Sequence, residues 1–186
     1  MTPEKHELIS SLTLVHYVNC FVLLEKNQED LLSDKNDFIC LPNNEENLFR
    51  SIEFDPMILR LHRRKAIVLK TTAEKGKKFN FLTREELKNC IEKTIKRVFG
   101  FNPNIENFSQ PTWAAEENFQ GCYTNMALCP GKTFEQFYSS LNTPLVDNFY
   151  MIGEAFDGAN AGYAHGAYLT GLKSAEQILN KLKAGN

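Results

Sequence analysis

The sequence predicts an α+β fold: an antiparallel meander and helices, followed by a C-terminal strand, loop and helix. Three observations predict this fold. Over the first eighty positions, short β-rich runs alternate with turn residues, as they do in antiparallel strands. From Thr83 onward, apolar residues recur at helical spacing. Near the end, a short apolar run leads through a glycine-rich loop into a last helix.

Composition narrows the classes of protein to consider. The 186 residues suit one domain or parts of two. A formal net charge of −2 gives no reason to expect nucleic acid or an anionic membrane as a partner. No apolar run approaches the ~18 residues of a membrane span, and the polar N-terminus does not resemble a signal peptide. The five cysteines are odd in number and form no CxxC, so we expect reduced thiols, no zinc site and a cytoplasmic protein.

The first eighty residues predict the strands of the meander. Residues 12–26 have the length of one long strand or a bent pair, and a polar connector follows. Residues 38–54 indicate a strand, a Pro-Asn-Asn turn and a second strand. A further strand is expected at residues 65–73, ended by Glu74–Lys78, and the basic run 60–65 is expected to be its solvated entry.

A helix over residues 83–99 has clear start and stop signals. Thr83 and Glu86 form a capping box, in which each side chain accepts from the backbone N–H of the other. An apolar stripe follows at helical spacing: Leu87, Ile91, Ile95 and Val98. Gly100 is placed to end the helix.

The last eighty-six residues predict a site loop and the C-terminal elements. Residues 101–130 are irregular and rich in Asn, Pro and Gln, as site-lining loops often are. Residues 131–141 predict a helix, and "FYMIG" at 149–153 predicts a short buried strand. The last helix, over residues 165–186, places its lysines toward the C-terminal end, as the helix dipole favours.

Two stretches in this part favour a binding site. At residues 149–171, glycines would let the backbone approach a ligand, and the helix N-terminus favours an anion or an electron-rich ring edge. The alternative is a turn with small-residue helix packing. At residues 111–131, the only tryptophan, Trp113, precedes a Gly-Cys-Tyr element. The alternative there is a loop held together by aromatic packing.

Together, these stretches resemble the C-terminal half of the flavin-containing amine oxidases, which include monoamine and polyamine oxidases and related amino-acid oxidases and histone demethylases. In that family a tryptophan precedes Gly-Cys-Tyr or Gly-Ser-Tyr and a Pro-Gly, as Trp113, 121–123 and 130–131 do here. A strand ending in Gly-Glu and a Gly-Tyr-x-x-Gly-Ala at the last helix follow, as 153–154 and 162–167 do. The resemblance is strong from about residue 83 to 181 and weak before it.

The resemblance implies roles for individual residues. Tyr123 and Tyr163 match the catalytic pair of aromatic rings, an aromatic cage that holds the substrate amine above the flavin. Gly153 and Glu154 would contact FAD near its phosphates and ribityl chain, mainly through the backbone. The loop of Gly162 and Tyr163 would lie at the flavin ring, with the backbone N–H of Ala164 at its pyrimidine end.

The resemblance also places two cofactor-binding residues in the site loop, Trp113 and Cys122. Cys122 falls where monoamine oxidases link flavin through a thioether. Since many relatives lack this cysteine, a non-covalent FAD and an inert buried cysteine both stay open.

The chain departs from the family pattern by having no GxGxxG, the strand–loop–helix signature that binds ADP. The family's active-site lysine also has no match here. The resemblance therefore implies a partial substrate-binding domain at 1–130, with strands to about residue 80, and a C-terminal segment of an FAD-binding domain at 131–186.

Two interpretations of the function follow. The chain is the C-terminal part of an amine-oxidising flavoprotein that an N-terminal GxGxxG-bearing half completes. Alternatively, it is a non-catalytic remnant or a partner-binding subunit. The preserved spacing of Gly121–Tyr123 and Gly162–Tyr163 favours the first.

Overall fold

The computed structural model describes residues 3–32, 38–126, 133–142 and 149–184. It confirms an α+β fold, whose strands are all paired antiparallel. The helices are α1 Pro3–Ser10, α2 Pro56–His62, α3 Ala73–Phe79, α4 Arg84–Phe99, α5 Phe134–Leu141 and α6 Ala164–Ala184. The strands are β1 Leu12–Val15, β2 Val18–Leu24, β3 Phe38–Cys40, β4 Ser51–Phe54, β5 Ala66–Thr71, β6 Ile105–Phe108 and β7 Tyr123–Met126.

The chain divides into two compact units, which we name the sheet unit (residues 16–122) and the terminal unit (residues 1–15 and 123–186). The predicted domain boundary at residue 130 stays a prediction, because residues 127–132 lie outside the described part. Residues 12–26 form the bent pair of strands: β1 belongs to the terminal unit, and β2 to the sheet unit.

The sheet unit is built on five antiparallel strands in the order β3-β4-β5-β2-β6. The predicted meander is confirmed for β3, β4 and β5, while β2 joins on the far side of β5. Along β2 burial alternates, as it must where only one face of a strand meets a core. The buried set is Val18, Cys20, Val22 and Leu24.

Helix α4 buries its apolar stripe in the core of the sheet unit. Leu87, Ile91 and Ile95 are fully buried there. The predicted capping box is confirmed, since the Thr83 hydroxyl accepts from the N–H of Glu86 and the Glu86 carboxylate accepts from the N–H of Thr83. Gly100 ends the helix at φ 79°.

The terminal unit has a small core and one long helix. Leu8 of α1 packs with Phe137, Tyr138 and Leu141 of α5. The ammonium group of Lys5 donates to the backbone carbonyls of Ser140 and Leu141 at 2.7 and 2.6 Å, at the C-terminal end of α5 where a cation is favoured. β1 and β7 form a separate two-stranded sheet, and α6 runs for 21 residues.

The structure corrects several sequence predictions in the first eighty residues, where α1, α2 and α3 were not expected. The basic run 60–65 is only in part a strand entry, because residues 60–62 form the last turn of α2 and residues 63–65 lead into β5. The Asp55 carboxylate caps this helix by accepting from the N–H groups of Met57 and Ile58 at 2.8 and 2.9 Å. Residues 74–78, expected to end a strand as a turn, lie in α3.

Two further corrections concern the C-terminal half. The stretch 101–130 was expected to be irregular but contains β6 and β7. The described residues 149–153 form no strand, although a buried strand was expected there. Phe149 and Ile152 are instead 50% and 56% exposed. None of the described strands pairs with the segment, and β structure requires a neighbour to accept its hydrogen bonds.

Candidate functional site

Glu154 connects two segments of the terminal unit that both carry predicted site residues. One carboxylate oxygen, Oε1, accepts from the backbone N–H of Thr124 at 2.8 Å. The other, Oε2, accepts from the backbone N–H of Gly162 at 2.6 Å. Thr124 follows Tyr123 on β7, and Gly162 precedes Tyr163 at the start of α6. One side chain therefore links the two tyrosine-bearing segments.

The Tyr123 ring packs against the backbone of Gly162. A Cβ atom built on Gly162 would lie 3.2 Å from Cδ2 of Tyr123, and Gly162 has a φ of +83°. Both observations favour glycine at this position. Tyr123 and Tyr163 are 37% and 62% exposed, so both rings have free surface. The structure thus brings the two segments together, and the framing of one amine by both rings stays a prediction.

The Tyr163 ring has a second neighbour that was not among the predicted site residues. The imidazole of His165 stacks on it, with ring centroids 5.3 Å apart and planes at 24°. Nε2 of His165 lies 2.9 Å from Oδ1 of Asn160, whose amide nitrogen donates to the Asp157 carboxylate at 3.1 Å. This chain of contacts fixes the plane of the ring that stacks on Tyr163.

Residue 153 is held against the second turn of α6. The backbone N–H of Gly153 donates to the Thr170 hydroxyl at 3.1 Å. That hydroxyl in turn has three carbonyl oxygens within reach, those of Gly153 at 3.2 Å, Gly166 at 3.1 Å and Ala167 at 2.9 Å. Ala164, the first residue of α6, is exposed. The first N–H groups of a helix have no partner within the helix, so an exposed N-terminus can receive an electron-rich group.

Part of the glycine content has an internal explanation. A Cβ on Gly166 would lie 2.4 Å from the carbonyl oxygen of Asn160, and one on Gly158 would lie 2.7 Å from the ring of Tyr138. These two glycines allow close packing within the terminal unit.

Burial, together with the charges of Glu154 and Asp157, raises the pKa of Tyr138 and keeps its phenol neutral.

The other two predicted cofactor-binding residues lie in the sheet unit. Trp113 and Cys122 line one cavity of about 550 Å³, with Tyr17, Asn19, Phe21, Ser109, Gln110 and Pro111. The Cys122 thiol is exposed and donates to the backbone carbonyl of Tyr17 at 2.8 Å, so the interpretation as a buried cysteine is wrong. Burial raises the pKa of Cys20 to about 12, and this second thiol is therefore unreactive.

Asn19 is a polar residue of this cavity that sequence reasoning missed. Its Oδ1 atom is buried and has no hydrogen-bond partner among the described residues. Asn19 lies on the face of β2 opposite the core, as the alternation along the strand requires. The sequence carried one signal for this residue, since Asn19 is the polar position in an otherwise apolar strand. An unpaired buried amide oxygen favours a site that receives a hydrogen-bond donor.

A comparison with known families decides the relationship of the chain. The model of a family described as flavin containing amine oxidoreductase matches residues 1–179. The chain belongs to this family. The match includes every residue predicted to form the site.

Individual relatives of the family are similar to parts of this chain. Polyamine oxidase 1 of Zea mays is 27% identical over 116 residues, which cover 61% of this chain and 22% of that protein. Probable polyamine oxidase 4 of Arabidopsis thaliana is 30% identical over 96 residues, which cover 51% and 18%. This chain spans about a fifth of the length of these curated relatives.

A solved structure shares the fold of this chain. A putrescine oxidase, solved as the wild type bound to putrescine, has a TM-score of 0.74 and 17% identity. The superposition covers 97% of this chain and 38% of the putrescine oxidase chain.

The features of the terminal unit fit the flavin that gives the family its name. The exposed N-terminus of α6 suits an electron-rich ring edge, and two partly exposed tyrosines flank the loop before it. Within the described residues, no group of three or more His, Cys, Asp or Glu side chains is arranged to hold a metal. Their helices also include none with the length and apolar character of a membrane span.

Proposed function

We propose that this chain is the C-terminal part of an FAD-dependent amine oxidase and that an N-terminal half bearing GxGxxG completes it. The observation that carries the proposal is the Glu154 bridge, which joins the segments of Tyr123 and Tyr163 beside the N-terminus of α6. Membership of a flavin-containing family supports it.

In this proposal each residue of the terminal unit has a physical task. The faces of Tyr123 and Tyr163 carry negative potential, which attracts and orients the substrate amine. The backbone N–H of Ala164 donates to the pyrimidine end of the flavin ring. Gly153 and Glu154 contact the ribityl and phosphate part of FAD through their backbone.

The chemistry supplied by a bound flavin is acceptance of hydride from the carbon beside the amine nitrogen, which leaves an imine for hydrolysis and passes the electrons to O₂. The residues of this chain hold the amine, orient it and exclude water. In the sheet unit, Trp113 and Cys122 would contribute to cofactor binding from the wall of their cavity. The names of the relatives favour an aliphatic amine of the putrescine and polyamine class as substrate.

The surface of α6 supports a missing N-terminal half. Five aliphatic residues of this helix are 41–63% exposed: Leu169, Leu172, Ile178, Leu179 and Leu182. An apolar surface of this kind on one helix is typical of an interface. Phe149 and Ile152, in the segment that forms no strand, are also exposed. We therefore propose that the N-terminal half covers α6 and supplies the strand that residues 149–153 lack.

Tyr163→Ala tests the proposed cage in the enzyme assembled with an N-terminal half. We expect turnover of a polyamine to fall more than flavin content, because the ring is lost while the backbone contact of Ala164 remains. Phe81→Ala is a control, since Phe81 is an aromatic residue that is 69% exposed in the sheet unit and has no proposed role. Unchanged turnover in Tyr163→Ala would rule out its ring as part of the cage, whereas a wild-type assembly without turnover would leave the interpretation as a non-catalytic or partner-binding subunit.

Cys122→Ser tests covalent attachment. A flavin joined to the Cys122 thiol resists acid extraction from the wild-type assembly and becomes extractable in the variant. A flavin that acid extracts equally from both proteins rules out the thioether. Cys40→Ser is the control, because Cys40 is a second exposed cysteine of the sheet unit outside the cavity.

A further inference from the structure

We propose that Glu154 is a positioning residue whose side chain sets the spacing of the two tyrosines, in addition to any backbone contact with the cofactor. This inference rests on the proposed function, because the spacing matters only if Tyr123 and Tyr163 hold an amine. The bridge itself is a property of the chain and can be measured without substrate or flavin.

The Glu154 carboxylate connects β7 to the loop before α6 through both of its oxygens. Its acceptor distances of 2.8 Å to Thr124 and 2.6 Å to Gly162 are those of charge-assisted hydrogen bonds. Thr124 is 30 residues before Glu154 in the chain, and Gly162 is 8 residues after it. The bridge therefore fixes segments that are distant in sequence.

The position of Thr124 on an edge strand explains why its backbone N–H donates to a side chain. In the β1–β7 sheet, Thr124 lies opposite Leu14, and β7 has no second strand beside it among the described residues. An N–H on such an edge is left for water or a side chain. Glu154 accepts from it and so ties the open edge to the start of α6.

Gly162 contacts both Glu154 and Tyr123. Its N–H donates to the Glu154 carboxylate. Its backbone lies against the Tyr123 ring, because a Cβ atom built on Gly162 would be 3.2 Å from Cδ2 of that ring. Tyr163 is the next residue and stacks on His165. A movement of the Gly162 backbone would therefore move Tyr163 relative to Tyr123. The Glu154 bond opposes that movement.

Both oxygens of the Glu154 carboxylate accept a backbone N–H at short distance, so the side chain acts on the protein itself. Flavin content, measured below, separates this positioning role from direct cofactor binding. In Glu154→Gln one oxygen becomes an NH₂ group, which places a donor against a backbone donor and loses one of the two bonds. The shape of the side chain is retained, which limits other effects.

Amide hydrogen exchange of the full chain, read by NMR, tests the bridge. A hydrogen bond to a charged group contributes roughly 1.5–3 kcal/mol, so we expect the amide that loses its acceptor in Glu154→Gln, that of Thr124 or that of Gly162, to exchange about 10- to 150-fold faster. The amides of Ala159 and Asn160, which donate to the Asp157 carboxylate, are internal references and should keep their rates. Glu176→Gln, an exposed change on α6, is the matched control.

Two results of this measurement would overturn the bridge. One is wild-type exchange at Thr124 and Gly162 in Glu154→Gln. The other is equal acceleration at every amide of the terminal unit, the references included, which would show a general loss of stability in place of a local contact.

Steady-state kinetics of the assembled flavoprotein tests the positioning role. We expect Glu154→Gln to lower kcat/KM for a diamine about tenfold through KM, with flavin content unchanged, because the amine is held by misplaced rings. A parallel loss of flavin would show that the carboxylate binds the cofactor directly and would overturn the proposal. An unchanged kcat/KM would overturn it as well.

The two measurements keep the proposals distinguishable. If the wild-type assembly holds no flavin, the proposed function fails and the positioning role fails with it, while amide exchange still reports a structural bridge. If the wild-type assembly oxidises amines and Glu154→Gln is normal in both measurements, only the positioning role fails.

Discussion

Helices α4 and α6 are the longest in the chain, and they bury their apolar residues to very different extents. The 16-residue α4 buries Leu87, Ile91 and Ile95 completely in the core of the sheet unit. The 21-residue α6 has only Gly166 and Thr170 buried in the terminal unit. The sheet unit therefore buries the apolar stripe of its long helix, whereas five aliphatic residues of α6 stay 41–63% exposed.

The difference indicates where a partner would contribute stability. Full burial of one Leu or Ile side chain stabilises by about 1.5–3 kcal/mol. Covering the five exposed aliphatic residues of α6, each of them already partly buried, would contribute on the order of several kcal/mol to an assembly. Those residues add little to the chain alone.

The largest expected effect comes from removing the same kind of side chain on each helix. Ile91→Ala should lower the free energy of unfolding by about 2–5 kcal/mol, because it leaves a cavity in a closed core. Leu179→Ala, at a site that is 54% exposed on α6, should change it by no more than about 0.5 kcal/mol. Urea denaturation of both variants measures the difference.

Equal losses in the two variants would contradict the comparison, since they would mean that α6 is covered within the chain. A third variant, Ile95→Ala, checks that the cost belongs to the α4 core and not to residue 91 alone. We expect it to fall in the same range as Ile91→Ala.

A smaller effect distinguishes the two faces of β2 within the sheet unit. Asn19→Leu should raise the free energy of unfolding by about 1 kcal/mol, because it removes an unpaired buried amide oxygen from the cavity face. Val22→Asn, which places an amide on the core face of the same strand, should have the opposite sign and a larger size. Thermal and urea unfolding check both signs.

The stability gained in Asn19→Leu should be accompanied by lost activity in an assembled enzyme, as is common where a site residue is replaced by a stabilising one. A destabilised Asn19→Leu would show that the amide has a partner and belongs to the scaffold.

The smallest expected effect concerns pH and the α4 cap. The backbone N–H and hydroxyl of Thr83 donate to the Glu86 carboxylate and hold its pKa below its ordinary value of 4.5. The stabilising contribution of the charged cap is therefore present above that ordinary value and is lost as pH falls through the lowered pKa. Glu86→Gln keeps the shape of the cap and should lose less stability than wild type between about pH 6 and about pH 3.

Comparing urea midpoints of the two proteins across that range checks this prediction. Parallel acid losses in wild type and Glu86→Gln would assign the acid sensitivity to other carboxylates. Glu85→Gln, an exposed change one position earlier, is the control.

Local sequence signals predicted the elements whose causes are local. The capping box of Thr83 and Glu86 and the glycine at position 100 gave the limits of α4, and the turn between β3 and β4 gave their pairing. The cap of α2 was also present as Asp55 before Pro56, but the basic run that ends this helix drew the interpretation toward a strand.

The features that could not be predicted depend on contacts between residues that are distant in the sequence. A strand at residues 149–153 needs a neighbour that this chain does not provide among its described strands. The backbone N–H groups that donate to Glu154 lie 30 residues before it and 8 residues after it, and no periodicity indicates such a bond. The motif placed Tyr123 and Tyr163 in a site, and only the fold shows which side chain connects their segments.

Flavin content measured with and without an N-terminal half tests the central claim most directly. The chain is purified alone and after co-expression with a candidate half that carries GxGxxG, and FAD is quantified per chain from its visible absorbance. A companion whose first motif glycine is replaced by valine is the control. We predict close to one FAD per assembly, and none with the chain alone or with the control companion. Stoichiometric FAD bound to the isolated chain would contradict the account.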